Sequence, residues 1–307
     1  MTPQQSEKRS HSKLDGRALL SADFVHKLDA LAILSRRLVS GPVGGTRRAQ
    51  RTGSSLEFSD FRTYAPGDDY RRIDWNVYAR LDRLFLRLFD AEESLSLTLI
   101  LDCSASMGFG MPTKLALCCR IAAAMAYVAL GSSDRVSVAA SHDHLDAYLS
   151  AVSGRSAVWK VWDFLERLDA RGDTDLNRSL DQVARRVGRN GLSVVFSDLL
   201  VTGGYRDGLM RLLASGAELC VVQVLAPEEI DPDEAGDWEF VDSEGGPTVS
   251  VSLSAAVRDE YRRRLARLTD EVQSFCARHG AQFLQLSSAV SVEDVVLRLL
   301  RRAQILE

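Results

Sequence analysis

The sequence predicts an α/β fold in which a mostly parallel sheet is covered on both faces by helices. Three observations carry that expectation. From Leu95 onward, short apolar runs alternate with stretches of helical spacing, the order that builds parallel sheets. The runs are nearly continuous in Val, Leu and Ile, as strands buried on both faces must be. Two of them, LTLIL and LSVVF, each lead into a turn bearing Ser and Asp, at the strand end where open α/β sheets place their ligand crevice. With 307 residues, 46% hydrophobic and 26% charged, the composition excludes disordered, collagen-like, coiled-coil and mucin-like classes.

Taken in order, residues 1–13 are polar and aperiodic and read as a mobile tail. From Ser21, a capping residue, Phe24, Leu28, Leu31, Leu34 and Leu38 recur at helical spacing until Gly41-Pro42 stops the run, which predicts an amphipathic helix. The connector GPVGGTRRAQRTG is too polar and flexible for a core element and reads as a linker or binding loop. The segment from Leu56 contains the turn Pro66-Gly67-Asp68 and ends in a strand-like run, Leu84 to Phe89. Candidate strands then follow at Leu97 to Leu101, Arg135 to Ser141, Leu192 to Phe196, Leu219 to Leu225 and Gln282 to Leu286. Helical patterns are interleaved at Lys114 to Ala129, Ala157 to Leu168, Asn177 to Val187, Ala256 to Arg278 and Val292 to Arg302. His144 to Leu149 is expected to pair as an antiparallel edge, and Trp238 to Val241 to turn at Glu244-Gly245-Gly246 into Thr248 to Ser252 as a hairpin. The domain reading is a tail at 1–13, a helix, basic linker and extended docking segment at 14–94, and the α/β domain at 95–307.

Thirty-eight basic against 42 acidic residues leave a formal charge of −4, too small to argue for a nucleic-acid or anionic-membrane binder. Residues 30–56 hold no acid and residues 212–257 hold no Lys or Arg, which reads as a solvated basic loop and a solvated acidic loop. The five cysteines form no C-x-x-C pair and have mostly apolar neighbours, as reduced core thiols of a cytoplasmic protein would. The start lacks the apolar region of a secretory signal, and the apolar run Leu115 to Leu130 is interrupted by Arg120 and short for a bilayer span.

The chemistry-bearing residues sit where the first α/β strand ends. Asp102, Ser104 and Ser106 put one carboxylate and two hydroxyls on a single turn before the helix starting at Lys114. Oxygen-only ligands suit a hard divalent cation, Mg²⁺ above all, with Mn²⁺ as a substitute. The loop Arg171-Gly172-Asp173-Thr174-Asp175 and the pair Ser197-Asp198 should reach the same rim. Two aspartates released side by side repel each other, which raises one pKa or calls for a cation between them. The Asp-x-Ser-x-Ser pattern by itself also suits a turn that caps backbone N–H groups. In the second loop Thr174 can be the ligand, or Asp173 or Asp175 can be, with Thr174 as helix cap.

Asp102-x-Ser104-x-Ser106, Thr174 and Asp198, in that order, resemble the metal-ion-dependent adhesion site of von Willebrand factor A-like domains. The resemblance implies that these five residues hold Mg²⁺ directly or through water and that an acidic side chain of a partner completes the coordination. Upstream, Glu57-Phe58, Asp60, Arg62, Tyr64, Pro66-Gly67-Asp68-Asp69, Arg71, Ile73-Asp74-Trp75 and Ala79-Arg80 resemble the signature of the bacterial family called domain of unknown function 58. That resemblance implies an adaptor or chaperone-like role beside MoxR-type AAA+ ATPases. The acids and arginines of this stretch read as a structural ion-pair network, with Trp75 as an apolar anchor.

Other chemistries find less in the sequence. His142-Asp143-His144 with Asp146 offers only two histidines for zinc and reads as an exposed hairpin. Neither a P-loop nor a G-x-G-x-x-G is present, and Ser104 and Ser106 lie outside any G-x-S-x-G elbow. The function expected is metal-dependent protein binding without catalysis. The alternative is a metal-assisted phosphohydrolase using the same cation as a Lewis acid.

Overall fold

The computed structural model describes residues 19–21, 23–29, 58–65, 68, 70, 73–89, 95–188, 191–232, 236–240 and 249–296. They belong to two compact units, one of Met1–Leu38 with Leu95–Glu307 and one of Val39–Ser94. The expected tail, the Gly41-Pro42 stop, the Gly/Arg connector, Pro66-Gly67, the turn at 244–246 and the helix beyond residue 296 lie outside the described residues.

The first helix, α1 (23–29), begins where Ser21 Oγ accepts from Phe24 N at 3.2 Å, the predicted cap. In the smaller unit, β1 (Phe58–Thr63) is followed by α2 (Trp75–Leu81) and β2 (Phe85–Phe89), and β2 runs antiparallel to β1. Asp74 starts α2 by accepting from Asn76 N at 2.9 Å and Val77 N at 3.2 Å. Asp74 thus caps α2, and Trp75, expected as an apolar anchor, is 59% exposed.

The larger unit continues as β3 (Ser96–Asp102), α3 (Lys114–Gly131), β4 (Arg135–Ser141), β5 (Leu145–Ser153), α4 (Val158–Glu166), α5 (Leu176–Ala184), β6 (Gly191–Ser197), α6 (Arg206–Ala214), β7 (Glu218–Leu225) and α7 (Pro227–Ile230). It then forms the hairpin β8 (Gly236–Phe240) and β9 (Val249–Leu253), the long α8 (Ala255–Arg278), β10 (Gln282–Ser287) and α9 (292–296). The sheet order is β10-β7-β6-β3-β4-β5, parallel throughout except for the β5 edge. This is the doubly wound, mostly parallel arrangement expected, and the antiparallel edge falls where the sequence places it.

Both faces of the sheet are covered, which is why its strands are apolar without alternation. Leu97, Leu99 and Leu101 of β3, with Val136 and Val138 of β4 and Val222 of β7, pack with α1, α3 and α4. Ile100, Ala139, Val195 and Val221 point the other way and pack with α5, α6 and α8, the period-two division that strand geometry imposes. Helix α3 is apolar all round because its environment is: it is long and apolar enough to pass for a membrane span, yet 89% of it is buried inside the protein. Its 18 residues exceed the run read from the sequence.

Chain winding sets up the site. From β3 the chain passes through α3 to β4 and β5 on one side, then through α4 and α5 to β6 on the other. The strand order therefore reverses between β3 and β6, and the crevice outside their carboxyl ends is where doubly wound folds bind ligands.

Candidate functional site

Asp102 is the last residue of β3 and Asp198 directly follows β6, so two neighbouring parallel strands deliver two carboxylates to the switch point. Both are only 1% exposed. Asp102 Oδ1 accepts from Ser104 N at 2.9 Å and its Oδ2 accepts from Ser197 Oγ at 2.6 Å. The 3-10 turn Ala105–Gly108 then brings Ser106 back over the strand end. Ser104 Oγ and Ser106 Oγ lie 3.1 Å apart, and Ser106 Oγ donates to Asp198 Oδ2 at 2.7 Å. Four of the five predicted site residues, Asp102, Ser104, Ser106 and Asp198, thus share one connected polar cluster.

The Asp198 loop is held from several sides. Leu200 N donates to Asp198 Oδ1 and Gln223 Nε2 to its backbone oxygen, both at 3.0 Å. Leu199 between them has φ 58°, a left-handed conformation uncommon for a bulky residue, and it is held there by burial of its side chain and by a 3.0 Å bond from its N–H to Ser197 Oγ.

The second loop lies against the first through two backbone bonds, Arg171 N to Cys103 O at 2.9 Å and Ala105 N to Gly172 O at 3.0 Å. The cap of α5 is Asp175, which accepts from Arg178 N at 2.9 Å, and Asp173 is exposed. Thr174 is left with a buried hydroxyl that has no hydrogen-bond partner. Of the alternatives at this position, the structure makes Asp175 the cap and leaves the Thr174 oxygen available.

Two charged residues that sequence reasoning did not assign to the site are Lys114 and Glu229, and Lys114 is the link. Its side chain is 0% exposed, and Nζ bridges Asp198 Oδ2 at 2.7 Å and Glu229 Oε1 at 2.6 Å. Glu229 is clamped in turn: its Oε2 accepts from Ala226 N at 2.8 Å and its backbone oxygen from Tyr261 OH at 2.7 Å. A signal for Lys114 was present, because a lysine as first residue of a helix opposes the macrodipole. Glu229 sits in the acidic stretch read as solvated and is an ion-pair partner instead.

The electrostatics follow from burial. Burial, and then the charge of Asp198, push the Asp102 carboxyl above its ordinary range. Burial opposes the Lys114 ammonium, but Asp198 and Glu229 outweigh it and the group is raised. For Glu229 burial wins over Lys114, so its carboxyl also rises, and burial pushes the nearby Tyr261 phenol up to about 12.

These residues fit a hard divalent cation. The candidate ligand atoms are all oxygen, Thr174 Oγ1 is buried without a partner, and two carboxylates, of Asp198 and Glu229, meet one ammonium while Asp102 is bonded only to neutral donors. Among the described residues there is no group of three or more His, Cys, Asp or Glu side chains placed to hold a metal, so hydroxyls would share the coordination with the acids. The histidine pair does not build a zinc centre: His144 Nδ1 meets Asp143 Oδ1 at 2.6 Å in an exposed turn, while His142 is mostly buried beside it.

The family described as "Protein of unknown function DUF58" matches residues 60–271. An uncharacterized protein of Mycobacterium bovis is 28% identical over 264 residues, covering 84% of this chain and 83% of that protein. An uncharacterized protein of Mycobacterium tuberculosis gives the same figures. Among solved structures, the chain is similar to the conserved hypothetical protein BatB from Bacteroides thetaiotaomicron, with TM-score 0.45, 17% identity and coverage of 69% of this chain and 99% of that one. It is also similar to the VWA domain of SpRpn10, with TM-score 0.36, 9% identity and coverage of 67% and 95%.

Proposed function

The chain belongs to the DUF58 family of unknown function, and from that premise we propose that it is a metal-dependent protein-binding adaptor. Asp102, Ser104, Ser106, Thr174 and Asp198 would hold Mg²⁺ or Mn²⁺, directly or through water, and a Glu or Asp of a partner protein would complete the coordination. The cation supplies directional attraction for that carboxylate. The observation that carries this reading is the convergence of Asp102, Ser104, Ser106 and Asp198 at the switch point, with more buried carboxyl groups than the one lysine can pair.

A protein partner is favoured over a phosphoester by what surrounds the cluster. Phe109 and Met111, on the turn that carries Ser106 toward α3, are 50% and 88% exposed, and Leu200 and Ile230, beside Asp198 and Glu229, are also exposed. Apolar side chains around a desolvated polar centre suit a protein interface and offer nothing to a phosphate. The partner we propose is a MoxR-type AAA+ ATPase, a choice supported by the sequence resemblance alone.

Thermal unfolding with and without Mg²⁺ tests the reading. At a hundred times its dissociation constant a cation bound only to the native state adds about 2.7 kcal/mol, an upward shift in Tm on the order of 5 to 10 °C. Asp102→Ala should abolish the shift. An unchanged wild-type Tm, or an equal shift in the variant, would count against the centre. Turnover of phosphoesters that vanishes in Asp198→Ala would favour the phosphohydrolase.

A further inference from the structure

We infer that Lys114 and Glu229 form a latch that sets how tightly the candidate centre holds a divalent cation. Lys114 competes with the cation for Asp198, and Glu229 is the resting place of the ammonium when the cation enters. The inference builds on the metal-binding reading and concerns two residues outside its ligand set.

Three observations carry it. Asp198 Oδ2 receives two donors at once, Ser106 Oγ and Lys114 Nζ, each at 2.7 Å. A cation drawing on that carboxylate would therefore have to repel or displace the ammonium. Second, Lys114 already has somewhere to go: Glu229 Oε1 is 2.6 Å away, on a carboxylate anchored by Ala226 N and on a turn anchored by Tyr261 OH. A lysine carries its charge as a compact point on a flexible stem, so it can shift from one acid toward the other without moving α3. Third, the formal charges match. With all three acids ionised, Asp102, Asp198 and Glu229 against Lys114 sum to two negative charges in a largely buried site, the charge of one divalent cation, and a cation would favour that ionised state over the raised carboxyls. Asp102 is the acid left without the ammonium: its bonds come from Ser104 N and Ser197 Oγ.

The test is titration of the full chain with Mn²⁺, reading free Mn²⁺ by electron paramagnetic resonance, for wild type, K114M, E229Q and the double variant. Removing the competing charge should tighten binding in K114M by roughly tenfold or more, since unit charges this close interact by several kcal/mol even at an effective dielectric of about 20. E229Q should weaken binding, because the ammonium is then left on Asp198 alone. In the K114M background the Glu229 substitution should lose most of that effect, a coupling that merely structural roles would not produce.

Equal or weaker binding in K114M overturns the latch, as does an E229Q effect of the same size in both backgrounds. If no form of the protein binds Mn²⁺ saturably, the metal centre itself fails. Binding by K114M where wild type shows none supports the latch. Should K114M fold only when Mn²⁺ is present, the concentration that restores its melting transition replaces the titration, and E229Q is measured as before.

Discussion

Lys114 shows how much a single side chain can escape a reading of the chain. It opens an apolar helix, where local preference disfavours a cation, and its partners lie 84 and 115 residues away. Nothing in the residues around it names those partners. Asp102, Ser104, Ser106 and Asp198 were legible for the opposite reason: all lie at or within a few residues of the carboxyl end of an apolar strand, so strand direction sends them to the same rim. The cysteines were equally legible. All five are buried thiols, and burial raises Cys103 and Cys118, pushes Cys119 up to about 12 and Cys276 to about 11. The thiolate is the nucleophile, so the native protein at pH 8 should react with less than one equivalent of Ellman's reagent and with five after denaturation. A fast-reacting thiol in the native state would show that the core opens.

Among the elements, the central strands were placed within about a residue because a run of Val, Leu and Ile bounded by polar turns has few other uses. Helix α6 was not anticipated. It is nine residues long and contains Gly208, a poor helix former. The structure gives that glycine a packing reason: a Cβ there would sit 2.8 Å from Leu180 Cβ and 3.0 Å from Asn177 Cα of α5. Gly208→Ala should therefore destabilise the protein by about 1 to 2 kcal/mol through overpacking, although alanine is the better helix former by roughly 1 kcal/mol. Urea unfolding decides between the two, and a stabilised variant would mean that α5 and α6 can part at little cost. Helix α2 lies in the segment that the sequence reads as extended, and its cap, Asp74, stands within a run of charges.

For the molecule as a whole, the fold class followed from the order of strands and helices, and the winding follows from right-handed crossovers between parallel strands. The place of the amino terminus did not. The sequence predicts an amphipathic helix there and groups it with the segment up to residue 94, whereas the compact unit that contains it is the α/β one. Leu19, Leu20, Phe24 and Leu28 are buried in the same cluster as α3. Around them, Arg120 Nε donates to Leu19 O at 3.1 Å, Tyr127 OH to Asp29 Oδ1 at 2.6 Å and Lys27 Nζ to Glu293 Oε2 at 2.6 Å, with Arg155 also paired to Asp29. A protein truncated to begin at residue 30 uncovers those four pockets. At about 1.5 to 3 kcal/mol for each large apolar side chain, the loss rivals the stability of a typical domain, and the truncated chain should melt far lower or fail to stay soluble. An unchanged Tm would show that this segment contributes little.

By itself the sequence determined the α/β class, the strands with their shared direction, and the delivery of two aspartates and two serines to one edge of the sheet. These depend on periodicity, turn chemistry and strand polarity, all of which act over a few residues. Only the tertiary structure decided that Lys114 and Glu229 enter the same cluster, that Asp175 rather than Thr174 caps α5, and that the amino-terminal helix covers α3. Each of those outcomes joins segments far apart along the chain, and burial gives such contacts their strength: an ammonium and a carboxylate with weak mutual attraction in water are bound firmly to each other once the sheet and its helices exclude the solvent.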